Sequence, residues 1–139
     1  WDRVYGSTNN EQTIFNSTSS LISACSIVLV PDKKNDDSFL MGCITSGNPN
    51  GDVTDSAKGG TADIWIIKID SLGNKLWDRR LGGFGFEAPY TIRSTNDNGY
   101  ILISDGTLTG GDVTDSSNGF VDLWVLKLDS LGNKQWDKM

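Results

Sequence analysis

Two stretches of this chain carry apolar residues on both sides of an extended backbone. In the first, Trp65, Ile67 and Ile69 fall on one side, and Ile64, Ile66 and Lys68 on the other. In the second, Trp124, Leu126 and Leu128 oppose Leu123 and Val125. Both runs are short, rich in β-branched and bulky residues, and bounded by turn chemistry, which predicts strands sandwiched between two layers. Asp-Ser-Leu-Gly-Asn follows each run, at 70–74 and again at 129–133. Its Asp can accept bonds from the amides ahead of it, and its Gly can take the left-handed conformation that closes a short hairpin. Lys75 to Leu81 then reads as the return strand, with Trp77 as its large packing residue. The pattern predicts the same hairpin twice.

The remaining pattern supplies partners for these hairpins. Cys25–Val30 and Phe39–Thr45 read as two strands ahead of the first, and Tyr90–Thr95 and Tyr100–Ser104 as two ahead of the second. Long loops at 47–60 and 110–119 join them to the hairpins, and a glycine-rich connection at 82–88 links the two units. Each unit is then four antiparallel strands in about 60 residues, the size of a propeller blade. The expected fold is all-β, with two four-stranded antiparallel blades of a larger β-propeller. Residues 1–6 would be the last strand of a preceding blade, 7–81 the first full blade, and 82–139 the second. Trp1 and Trp77 are 76 positions apart, whereas Trp77 and Trp136 are 59 apart. A polar insertion at 7–23, rich in Ser, Thr and Asn, accounts for most of the excess. Because the chain opens inside a repeat, on Trp1-Asp2-Arg3, it is expected to be part of something longer.

Several motifs recur in fixed order: Gly-Asp-Val-Thr-Asp, an apolar strand with its Trp, then Lys-x-Asp-Ser-x-Gly-Asn-x-x-Trp. This arrangement resembles the β-propeller repeat of secreted and cell-surface proteins of Bacteroidota, over nearly the whole chain. The resemblance implies a secreted or surface location and export by the type IX route. The hairpin is also similar to the tryptophan-docking motif of quinoprotein propellers, with an Asp-to-Gly turn one residue shorter. It differs from a WD40 repeat: Trp-Asp occurs, but the chain contains no histidine.

Composition narrows the chemistry. The net charge of −6 argues against nucleic acid as a partner. No apolar run approaches membrane-spanning length. Sixteen of the eighteen acidic residues are Asp, a bias toward turns and loops rather than helices. Without histidine the chain lacks the usual general base and the commonest zinc ligand, and a Ser-His-Asp or Cys-His mechanism is excluded within it. No pair of carboxylates is singled out for glycosidase chemistry. The expectation is a chain that is not an enzyme.

Three sets of residues remain as candidates. Asp52, Asp55 and Asp63 recur as Asp112, Asp115 and Asp122 in glycine-containing loops. Such loops suit Asp side chains that bond the loop's own amides and, as the rival reading, calcium, which takes six to eight oxygen ligands. Trp65, Trp77, Trp124 and Trp136 read as inter-blade packing, since strict repetition fits packing better than a single sugar-stacking platform. Cys25 and Cys43 would fall nearly opposite one another if the first two strands pair around 31–37, which permits a disulfide; the alternative is two small buried thiols. The leading expectation is a structural scaffold or protein-interaction module. Its partners would be other blades of a longer parent, copies of itself, or another protein. Its rivals are a glycan- or calcium-binding module and a non-catalytic part of a larger secreted enzyme.

Overall fold

A computed structural model describes Asp2, Tyr5 and residues 38–139. The described residues form two antiparallel sheets and no helix, and so none that is long and apolar enough to cross a membrane. The first sheet is β1 (Phe39–Thr45), β2 (Asp63–Ile69) and β3 (Lys75–Leu81). The second is β4 (Pro89–Ser94), β5 (Tyr100–Gly106), β6 (Asp122–Leu128) and β7 (Lys134–Lys138). In both, strands adjacent in sequence are adjacent in space. The strand expected at Cys25–Val30 and the insertion at 7–23 lie outside the described residues.

The two hairpins close as their sequence dictates. Asp70 Oδ1 accepts the amides of Leu72 and Asn74, and Asp129 Oδ1 those of Leu131 and Asn133. Gly73 and Gly132 take φ of 75° and 78°, where a side chain would be strained. Beyond the turns, pairing skips Leu76, so that Ile69 faces Lys75 while Lys68 faces Trp77. The same shift at Lys127/Leu128 skips Gln135. This bulge decides which face each tryptophan joins. Trp77 lands with Ile64 and Ile66, on the side of the sheet opposite Trp65.

The sheets stack face to face. Ile64, Ile66, Leu40 and Leu81 of the first meet Ile92, Tyr100, Leu102, Trp124, Leu126 and Leu128 of the second in one buried cluster. Trp77 packs edge-on against Tyr100, with ring centroids 6.3 Å apart. The other face of the first sheet buries Trp65, Ile67 and Ile69 with Val53, flanked by Tyr5, Phe39, Met41 and Cys43. The other face of the second sheet is open: Leu123 is 56% exposed and Trp136 47%.

Leu126 lies at the centre of the stacked layer with no exposed surface. Leu126→Ala should cost about 2–5 kcal/mol. Urea unfolding followed by tryptophan fluorescence checks this; a cost below about 1 kcal/mol would mean that the two sheets do not depend on this layer.

Candidate functional site

Two aspartates that stand one residue after a tryptophan each collect four hydrogen bonds. Asp78 Oδ2 accepts the indole N–H of Trp65 at 3.0 Å and the amide of Thr54 at 2.8 Å. Its Oδ1 accepts the Thr54 hydroxyl and the Lys75 ammonium, the latter at 2.9 Å. Asp137 repeats the pattern with Trp124 at 3.0 Å, the Thr114 amide at 2.8 Å, the Thr114 hydroxyl, and Lys134 at 2.6 Å. Each lysine also reaches back to a loop carbonyl, Lys75 to Asp52 at 2.6 Å and Lys134 to Asp112 at 2.5 Å. One carboxylate thus fastens a strand, a hairpin and a loop. Burial pushes the Asp78 carboxyl up, but its bonds from Thr54, Lys75 and Trp65 outweigh this and hold it down to about 2. Asp137 is likewise held low against its burial by Lys134, Thr114 and Trp124.

The six candidate aspartates bond to the chain itself, Asp63 and Asp122 from the first positions of β2 and β6. Asp55 accepts the amides of Ser56 and Arg80, and Asp115 those of Ser116 and Met139. Asp63 accepts the Lys58 amide and Asp122 the Asn118 amide, five and four residues back. Asp112 accepts the Gly82 amide at 3.3 Å and lies 3.9 Å from the Lys58 ammonium, a link between the two sheets. Asp52 contributes its carbonyl to Lys75. Among the described residues no three His, Cys, Asp or Glu side chains gather as a metal-ligand group.

The tryptophans divide by face. Trp124 is wholly buried between the sheets, and Trp77 packs against the same layer. Trp65 is buried on the far side of the first sheet, and Trp136 stands on the open face of the second. Arg79 lies over the Trp77 ring, 5.8 Å from its centroid. Cys43 Sγ sits 3.6 Å from the Trp65 carbonyl oxygen. Cys25, and with it the pairing of the two cysteines, lies outside the described residues.

A polar cleft of about 570 Å³ opens where the hairpin tip of the second sheet meets the edge of the first. Lys58, Arg79, Asp112 and Asn133 are among the residues that line it. Arg79 donates to Asn133 Oδ1 at 3.4 Å across the junction. Sequence reading singled out the loop aspartates and passed over Asp78, Asp137 and their Thr and Lys partners. Their signal was present nonetheless, because Thr54/Thr114, Lys75/Lys134 and Asp78/Asp137 are all kept between the copies. No family model matches this chain, and no curated protein matches it in sequence.

Asp78→Asn removes the charge that four donors address, and should cost roughly 3 kcal/mol at neutral pH. Because Asp78 is held at about 2, below its ordinary 3.8, its contribution is complete above 3.8 and is lost as pH falls through about 2. Urea midpoints of the wild type should therefore drop across this acid range, and those of Asp78→Asn should drop less. An identical acid limb in both proteins would show that Asp78 is not the group responsible.

Proposed function

We propose that this chain is a non-catalytic structural unit of two β-propeller-type blades, acting as a scaffold or protein-interaction module of a secreted or cell-surface protein. The observation that supports this most is the mismatch between two equivalent faces. Ile64, Ile66, Lys68 and Trp77 form the face of the first sheet that the second sheet covers. Leu123, Val125, Lys127 and Trp136 occupy the same repeat positions in the second sheet, and there Leu123 and Trp136 remain exposed. A face already used once for stacking is thereby offered again, to a further unit of this kind or to a copy of the chain. Fully burying a side chain such as Leu123 is worth about 1.5–3 kcal/mol. The repeat resemblance points the same way, as does the lack of histidine.

A second reading, a module for a polar ligand such as a glycan, draws on the cleft between the hairpin tip and the first sheet. A glycan array separates it from the first, since a scaffold retains no sugar there.

Sedimentation velocity over a range of concentrations tests the leading reading. The wild-type chain should self-associate at micromolar concentration. Leu123→Asp, a change at a 56% exposed position, should weaken association at least about tenfold while leaving the circular dichroism of the strands unchanged. A folded wild-type monomer at every concentration would overturn it.

A further inference from the structure

The connection at 82–88, which carries the chain from the first sheet to the second, buries an excess of negative charge. Asp63 and Glu87 have no exposed surface, and Arg80 is 2% exposed. Arg80 donates twice to Asp63 Oδ2, from Nε at 3.0 Å and Nη2 at 2.5 Å, and its third nitrogen goes to the Gly47 carbonyl at 2.7 Å. With the Lys58 amide at 3.1 Å, Asp63 Oδ2 has three donors. Asp63 Oδ1 has none. It lies beside Gly82, as Glu87 Oε2 does: a Cβ on Gly82 would collide with Asp63 Oδ1 and come within 2.9 Å of Glu87 Oε2.

Arg80 can neutralise one of these two carboxylates. The charged groups around them are Arg80 from β3, Asp55 and Lys58 from the β1–β2 loop, Asp112 from the β5–β6 loop, and Asp105 near the end of β5. Lys58 directs its ammonium to Asp55 and Asp112, at 3.5 and 3.9 Å. Asp112 accepts the Gly82 amide, and the Asp105 amide donates to the Ala88 carbonyl. None of these supplies Asp63 Oδ1 with a hydrogen. A buried carboxylate oxygen with no donor, beside a second buried carboxylate, is costly unless a proton lies between them.

We propose that Asp63 and Glu87 hold one proton between them beside Gly82, so that the link between the two sheets is fastened by a carboxylic acid–carboxylate bond that base opens. In this state Glu87 is the neutral acid and donates to Asp63 Oδ1. Glu87 Oε2 still accepts the Gly83 amide at 2.9 Å, and Oε1 lies 3.5 Å from the Thr107 hydroxyl. Burial raises the Glu87 carboxyl above its ordinary 4.5; the Gly83 amide opposes the rise and the Asp63 charge adds to it. The device belongs to this junction and is not part of the repeat. In the second copy Met139 stands where the first has Arg80, and Asp122, the counterpart of Asp63, is only partly buried. It does not depend on how the open face of the second sheet is used.

The sign follows from linkage. A carboxyl raised in the folded state favours folding fully below 4.5, and this contribution is lost as pH rises through its folded value. Over that interval the folding constant falls by up to about tenfold per pH unit. Glu87→Gln keeps a neutral donor at every pH. The ratio of its folding constant to that of the wild type, from urea unfolding at pH 4 to 8, should rise with pH and then level off. Carbon-13 NMR of the Glu87 side-chain carboxyl in the full wild-type chain should show a titration above 4.5. A Glu87 titration at or below 4.5 would overturn the proposal even if the variant failed to fold. So would a pH-independent ratio. Stabilisation of the wild type but not Glu87→Gln by sodium or calcium chloride at pH 7 would place a cation in the gap, and would overturn it as well.

Discussion

The architecture depends on one charged hydrogen-bonding arrangement, the carboxylate that follows a strand tryptophan and collects an indole, a threonine and a lysine. Bonds to a buried charge are stronger than neutral ones, and leaving such a charge without them is expensive. Asp78 therefore does more than decorate β3. It fixes the Trp65 ring, ties the 47–60 loop to the sheet through Thr54, and holds Lys75 against the Asp52 carbonyl. With the loop secured, Val53 is pressed into the buried layer at 2% exposure, and Val113 repeats this at 1%. Each unit is thus a sheet with its own loop clamped across it.

Stacking follows from the bulge. Without the skipped residue at Leu76, Trp77 would fall on the face that carries Trp65, and Ile64 and Ile66 would lose their large neighbour. With it, each sheet has two unlike faces. One carries Trp65 or Trp124 bonded inward to its aspartate; the other presents Trp77 or Trp136 outward. The contact between sheets joins unlike faces, so it has a direction, and a head-to-tail contact of this type propagates rather than closing on a pair.

The hairpins were fully legible in the sequence, because alternating apolar residues and a Gly-bearing turn specify strand, face and reversal locally. The expected strand at 64–69 runs from Asp63 to Ile69, and the return strand covers Lys75–Leu81 as read. The bulge was not legible, since its cause is the fit between two strands rather than a residue type. The loop aspartates carried a signal with two readings: oxygen-rich, glycine-containing loops look alike whether their acceptors serve an ion or backbone amides. The Asp63–Arg80–Glu87 cluster left no periodic trace at all. Its members come from two strands and a connection, and burial there is a tertiary fact.

Gly132 turns the second hairpin and also lies under the first sheet's tryptophan, where a side chain would strike the Trp77 ring. The residue is answerable to two units at once. A drift in one repeat is therefore checked by its neighbour, which helps to explain why Asp-Ser-Leu-Gly-Asn survives letter for letter in both copies. Duplication of the whole unit carries both halves of this contact, the turn glycine below and the tryptophan above. Such an array can lengthen by copying, with no new interface to be invented at each step.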